Sequence, residues 1–163
     1  MSIAPIVTAG QLEGLIGNAV VCDVRWYLDG SSGHEAYLRG HIPGAVFVDL
    51  DNDLATIPGP GDGRHPLPPP EVFADSLGRL GIGSDDTVIA YDDSGGLSAG
   101  RMVWMLRVLG QSAALLDGGL NAWTGALETE TAAPGPVECP VRPWPGASFA
   151  EADDLGGAEV LLD

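Results

Sequence analysis

Thr87–Gly110, TVIAYDDSGGLSAGRMVWMLRVLG, decides the fold. Thr87–Tyr91 is a short apolar run with β-branched residues, the signature of a buried strand. Asp92–Leu97 is polar and glycine-rich, so it reads as a loop. Ser98 is a candidate helix cap. Met102, Val103, Leu106 and Leu109 then recur at helical spacing, and Gly110 sits where a helix would stop. Strand, loop and helix in this order form half of a βαβ unit. In an open α/β sheet, ligands bind beyond the carboxyl ends of the strands. A loop feeding a helix N-terminus there offers backbone N–H groups and the positive end of a dipole, which suits an anion or a thiolate. The loop instead begins with two carboxylates, Asp92 and Asp93, where catalytic chemistry of this kind would want a nucleophile.

The same alternation extends on both sides. Thr8-Ala-Gly-Gln11 matches a capping box, with Leu12, Leu15 and Ile16 on one helical face. Ala19–Val24 reads as a strand. The polar, aromatic stretch Trp26–Gly40 predicts a helical turn at Glu35–Leu38, and Pro43-Gly44 a turn into a short strand, Ala45–Val48. Leu50–Pro70 holds six prolines and three glycines, so it is expected to be irregular. Glu71 opens a helix after Pro70, with Val72, Phe73, Leu77 and Leu80 as its expected buried face. After the central unit come a strand, Ala113–Leu116, and a short helix, Leu120–Gly125. Strands alternating with helices predict an α/β fold with a parallel sheet.

The chain has 163 residues, 45% of them apolar, enough for one ordinary domain. Its net charge is −16, and all seven basic residues are arginine. That excludes nucleic acid and anionic membrane surfaces as partners, since both need clustered positive charge. No apolar run approaches the length of a membrane span. The start of the chain lacks the basic and apolar segments of a secretory signal, so a cytoplasmic protein is expected. Cys22 lies in an apolar run and reads as an inert core thiol; Cys139 lies in a proline-rich stretch with no base beside it. His34 and His65 show no ligand spacing, so no metal and no cofactor are expected. Asp49-Leu-Asp51-Asn-Asp53 begins like a calcium loop, but Leu54 and Pro60 stand where glycine and glutamate are needed, and its carboxylates are expected to face solvent.

Residues 131–147 are proline-rich, a linker composition. Beyond them the start of the chain recurs. With a shift of 140, Ser148-Phe-Ala-Glu151 falls on Thr8-Ala-Gly-Gln11, Leu155 on Leu15, Gly157 on Gly17, Val160 on Val20 and Asp163 on Asp23. The expected organisation is a domain over 6–130, a linker, and the start of a second unit over 148–163.

Three motifs carry a resemblance: Val21-Cys22-Asp23-Val24-Arg25-Trp26-Tyr27-Leu28, Gly40-His41-Ile42-Pro43-Gly44-Ala45, and Leu115-Leu116-Asp117-Gly118-Gly119-Leu120-Asn121-Ala122-Trp123. In this order and spacing they resemble the rhodanese family of thiosulfate and 3-mercaptopyruvate sulfurtransferases. The resemblance implies a rhodanese-like parallel sheet flanked by helices on both faces. It also implies a tandem arrangement in which a first, inactive domain precedes a second that bears the catalytic cysteine. Active members hold a cysteine directly after the central strand, in a six-residue loop that cradles a persulfide. Here Asp92 stands in that place, and the loop looks one residue longer. Sulfur transfer needs a thiolate that attacks a sulfane sulfur and keeps it, which a carboxylate cannot do. The active-site-equivalent loop is therefore Asp92, Asp93, Ser94, Gly95, Gly96, Leu97 and Ser98, with no catalytic residue. An aspartyl-phosphate reading of Asp92 lacks the second aspartate two residues on. A phosphatase of this fold would need a cysteine and an arginine in the loop.

Trp26, Tyr27 and His41 are candidates to line a cleft between tandem domains. His41 is otherwise expected to bond backbone at the turn before Pro43, and Arg25 to pair with a carboxylate. The expected function is a non-catalytic domain of a two-domain sulfurtransferase. Its partner would be the second rhodanese domain, and small anionic sulfur donors would reach it through that domain. A free-standing rhodanese-like binding or regulatory module is the alternative.

Overall fold

The computed structural model describes residues 3–149. The start of the second unit falls almost wholly outside them. The chain runs β1 (Ile6–Val7), α1 (Ala9–Glu13), β2 (Val20–Asp23), α2 (Gly33–Arg39), β3 (Val46–Phe47), α3 (Leu50–Asp53), α4 (Pro70–Arg79), β4 (Val88–Tyr91), α5 (Leu97–Val108), β5 (Ala113–Leu116) and α6 (Gly119–Ala122). The five strands form one sheet in the order β1-β5-β4-β2-β3, every pair parallel.

Alternation along the strands sorts the core into two layers. Cys22, Val88, Ala90 and Ala113 point to the side covered by α3, α4 and α5, where Phe73, Leu77, Met102, Met105 and Leu106 are buried. Val21, Ile89, Tyr91, Ala114 and Leu116 point the other way, packing with Leu12 of α1, Ile42 and Leu120 of α6. Helices on both faces explain why the strands read as continuous apolar runs rather than alternating ones.

The capping box at Thr8 is formed: its hydroxyl accepts the Gln11 N–H, and the Gln11 side chain accepts the Thr8 N–H at 2.8 Å. Elsewhere the boundaries differ from expectation. Ser98 does not cap α5; Gly96 is the cap residue, and Ser98 lies inside the first turn with its hydroxyl buried and unbonded. The last helix spans only Gly119–Ala122, because Trp123 is extended. Within the irregular stretch after β3, Asp49 caps α3 by accepting the Asp51 and Asn52 N–H groups. The carboxylates there do not all face solvent. Asp53 is buried; it accepts the Asp49 N–H at 2.9 Å and pairs with Arg79 at 3.1 Å.

The proline-rich segment is packed against the domain. Ala132 N–H donates to the Tyr37 hydroxyl, Val137 N–H to the Gly78 carbonyl, Arg142 to the Leu109 carbonyl and the Trp144 indole to the Pro68 carbonyl. The Trp144 ring lies 5.3 Å from that of Phe73. Proline leaves few donors to satisfy, so an extended strap can lie on a helix with its remaining N–H groups bonded one by one.

Candidate functional site

The sheet order sets where a site can lie. From β2 the chain moves to β3 on one side, and from β4 to β5 on the other. The loops after β2 and β4 therefore diverge, leaving a crevice at the carboxyl ends between them.

The loop after β4 curls around Asp92, which is fully buried. Its Oδ1 accepts the N–H groups of Ser94 at 3.0 Å and Gly96 at 2.8 Å. Its Oδ2 accepts those of Ser98 at 2.9 Å and Ala99 at 3.0 Å. Gly95 and Gly96 both take positive φ, +79° and +87°, which turns the N–H groups inward and which residues with a Cβ rarely adopt. The cradle of N–H groups expected at this helix N-terminus is thus present, and a tethered carboxylate fills it. The Asp92 carbonyl accepts the Leu120 N–H at 2.8 Å, and Gly119 lies so close that a Cβ there would sit 2.2 Å from that carbonyl oxygen. The Leu-Asp-Gly-Gly-Leu motif is thereby explained: it presses α6 against the base of the loop.

Asp93 points into the crevice and accepts the Tyr27 hydroxyl at 2.7 Å, bridging the two diverging loops. Partial burial and this bond to a carboxylate push the Tyr27 phenol up to about 12. Trp26 lies beside it, donating its indole N–H to Asp51 at 3.0 Å; Asp51 also contacts His65 at 2.9 Å, and the His65 ring sits edge-on to Trp26. A cavity of about 350 Å³ opens here, walled by Arg25, Trp26, Tyr27, His34, Phe47 and Asp51. Trp26 and Tyr27 therefore stand together at the crevice beyond the carboxyl end of β2. The Asp51–His65 pair was not legible as part of it, because no spacing rule links a proline-rich loop to the end of a strand.

His41 is elsewhere. It is fully buried, stacked 3.8 Å from the Tyr37 ring, with Nδ1 2.9 Å from the Tyr37 carbonyl. Its backbone exchanges both hydrogen bonds with Glu128, whose carboxylate also accepts the Gly44 N–H. The backbone role expected at this turn is the one it plays here, and the structure does not bring it to the crevice.

Beneath the site is a buried polar network. Arg25 and Asp23 pair at 2.6 Å; Arg25 also donates to the Gly40 carbonyl, and the Tyr91 hydroxyl donates to Asp23 and accepts the Ile42 N–H. Burial pushes the Tyr91 phenol far above its usual range, with the Asp23 charge adding to it. Burial alone would lower the Arg25 guanidinium, but the bond to Asp23 and its charge hold it above its ordinary value. This network ties β2, β4 and the 40–44 turn together and fixes the strand ends from which both loops spring.

The arrangement offers no sulfur nucleophile. Cys22 is fully buried in the core, where burial and the neighbouring Asp23 raise its thiol far out of the reactive range. Cys139 lies on the strap, with its thiol also raised by burial. Among the described residues no group of three or more His, Cys, Asp or Glu is placed to hold a metal, and no helix is long and apolar enough to cross a membrane.

Residues 8–126 match the model of the Rhodanese-like domain. The chain is 43% identical over 136 residues to SseB of Mycobacterium tuberculosis, assigned as a thiosulfate sulfurtransferase; the match covers 79% of this chain and 48% of that protein. It is 43% identical over 132 residues to a probable 3-mercaptopyruvate sulfurtransferase of Pseudomonas aeruginosa, covering 77% and 46%. The chain thus spans about half the length of the curated relatives it matches. The crystal structure of SseA from Escherichia coli, a 3-mercaptopyruvate sulfurtransferase, superposes with a TM-score of 0.80 at 29% identity, over 94% of this chain and 60% of that one. The three motifs, the parallel five-stranded sheet and these matches agree: the chain belongs to the rhodanese-like domain family, with homology to the thiosulfate and 3-mercaptopyruvate sulfurtransferases.

Proposed function

We propose that this chain is the non-catalytic rhodanese-like domain of a two-domain sulfurtransferase of the thiosulfate or 3-mercaptopyruvate type, with the nucleophilic cysteine in a second domain. One observation carries the reading: the carboxylate of Asp92 occupies the cradle at the end of β4, satisfied by four backbone N–H groups. Sulfur transfer requires a thiolate whose lone pair attacks the outer sulfur of the donor. The S–S or C–S bond of the donor breaks, its electrons leave with sulfite or an enolate, and the sulfur stays as a persulfide. Asp92 is neither polarisable enough nor free, and its charge repels an anionic donor. The domain's contribution in this reading is structural: it presents a rigid, pre-filled loop and the crevice of Trp26 and Tyr27 to the partner domain.

The test is an assay of the purified chain with thiosulfate or 3-mercaptopyruvate as donor and cyanide as acceptor. Thiocyanate formation stays at the no-enzyme rate. Turnover above the blank that disappears in Cys22→Ser or Cys139→Ser refutes the proposal.

A further inference from the structure

Among the described residues, two buried side-chain atoms have no hydrogen-bond partner: Ser98 Oγ and His41 Nε2. Ser98 belongs to the loop around Asp92. His41 lies apart from it, and its chemistry is constrained from both sides of the ring. Nδ1 is 2.9 Å from the Tyr37 carbonyl, which can only accept, so Nδ1 carries a hydrogen. In a neutral ring Nε2 is then a bare lone pair. What faces it is the Glu128 carboxylate, with Oε1 3.6 Å away. Two acceptors would thus oppose each other where His41 has no exposure to water. The gap is too short to seat a water between them, since each hydrogen bond to a water spans about 2.8 Å.

We propose that His41 and Glu128 form a proton-dependent clasp, in which an imidazolium at His41 pairs with the Glu128 carboxylate and fastens the segment after α6 to the 40–44 turn. One proton resolves the conflict, because it turns Nε2 from an acceptor into a donor and the facing pair from repulsive to attractive. The negative charge stays on Glu128, whose carboxylate also accepts the Gly44 N–H and is 37% exposed. The positive charge on His41 lies over the Tyr37 ring, 3.8 Å away and within 12° of parallel, the arrangement of a cation on an aromatic face. The backbones already meet here, since His41 and Glu128 exchange both hydrogen bonds. Other groups bear on the ring from each neighbouring element. Arg25 of β2 donates to the Gly40 carbonyl and opposes a second positive charge, but its partner Asp23 offsets it. The Tyr91 hydroxyl of β4 accepts the Ile42 N–H. On α2, His34 stacks on Tyr37 at 6.2 Å, and Arg39 is exposed. Phe47 of β3 tilts against His34 and Tyr37 and brings no charge. Ala132 donates to the Tyr37 hydroxyl, so the clasp sits at the root of the packed strap. A proton taken up by the folded pair stabilises it. The clasp is therefore fully closed below the ~6.5 of a free histidine, and it weakens as pH rises and the ring gives up its proton.

The test uses the full 163-residue chain. Nitrogen-15 spectra of the histidine rings at about pH 6 show hydrogen on both nitrogens of His41. In Glu128→Gln the amide can donate to Nε2 and its oxygen can still accept the Gly44 N–H, so the ring carries hydrogen on Nδ1 alone. Amide exchange, corrected for its intrinsic pH dependence, reads the clasp itself. Protection of the His41, Gly44 and Glu128 N–H groups falls roughly tenfold or more between about pH 6 and about pH 9 in the wild type, and stays level in Glu128→Gln. His34→Phe keeps the fall, because the neighbouring histidine does not hold the proton. A wild-type His41 ring with hydrogen on Nδ1 alone at about pH 6 overturns the proposal. So does a fall in protection that persists in Glu128→Gln, or one that disappears in His34→Phe. The wild-type ring spectrum needs no substitution, so it decides the matter even where a variant fails to fold.

Discussion

Replacing Asp92 by alanine tests what the carboxylate does. It strips the acceptor from four N–H groups. Those of Ser94 and Gly96 lie at the exposed edge of the loop and can take water instead. Those of Ser98 and Ala99 are buried, in the first turn of α5, and lose their partner outright. A hydrogen bond to a charged group contributes about 1.5–3 kcal/mol, so two of them give a loss of roughly 3–6 kcal/mol. For a domain of this size, at about 3–4 °C per kcal/mol, the melting midpoint falls by roughly 10–20 °C. Urea unfolding followed by tryptophan fluorescence measures the first quantity and calorimetry the second. A further arm isolates the anion-binding geometry. In Asp92→Ala the emptied cradle accepts an oxyanion; a site with a Kd of about 10 mM gives back about 1.4 kcal/mol at 100 mM sulfate. Sulfate also stabilises proteins generally, so the wild type, whose cradle is filled, supplies the baseline. A loss below about 1 kcal/mol, on the scale of a single neutral hydrogen bond, would refute the claim that Asp92 anchors the loop. Equal stabilisation of wild type and variant by sulfate would refute the cradle.

Four further outcomes follow from the same coordinates. Asp92→Cys combined with Asp93→Gly yields a thiol at the helix N-terminus that reacts with iodoacetamide at pH 7 faster than Cys22 or Cys139, with the single Asp92→Cys variant between them; a thiol titrating at or above the ~8.5 of free cysteine refutes this. Tyr91→Phe removes the hydroxyl that donates to Asp23 and accepts from Ile42, and costs about 1–3 kcal/mol in denaturant unfolding. Tyr27 ionises near about 12 in the folded chain, against about 10 unfolded, so its contribution is fully present below pH ~10 and is lost as pH rises towards 12; phenolate absorbance of wild type minus Tyr27→Phe shows the late titration. Removing residues 147–163 lowers the melting midpoint by less than about 5 °C, whereas removing 131–163, which uncovers Phe73 and the α4 face, lowers it by well over 10 °C.

How far the sequence reaches is set by the range of the interactions. The capping box at Thr8 is legible because donor and acceptor lie three residues apart, and the three longer strands, β2, β4 and β5, because burial on both faces leaves an apolar run. β1 is not legible: Ile6–Val7 is a strand only because it pairs with Leu115–Leu116, more than a hundred residues on. The proline-rich segment reads as a linker since it has no period, yet its bonds run from Val137 to Gly78 and from Trp144 to Pro68, contacts no local rule contains. At the site, residue type alone shows that Asp92 is the wrong atom for sulfur chemistry. That it is also the anchor of its own loop depends on the curl at Gly95 and Gly96, and the Tyr27–Asp93 bridge joins positions 66 apart.

The two border strands of the sheet, β1 and β3, are two residues long. An incoming strand could gain only a couple of ladder bonds at either border, while fixing each of its residues costs about 1–2 kcal/mol of backbone entropy. Neighbouring chains emerging from one polysome, or a sister domain folding a few nanometres away, therefore find no template on which to extend the sheet. Parallel sheets form slowly and stay exposed to mispairing while they do. Borders this short guard the nascent protein against intermolecular strand exchange without spending a lysine, which the chain lacks altogether.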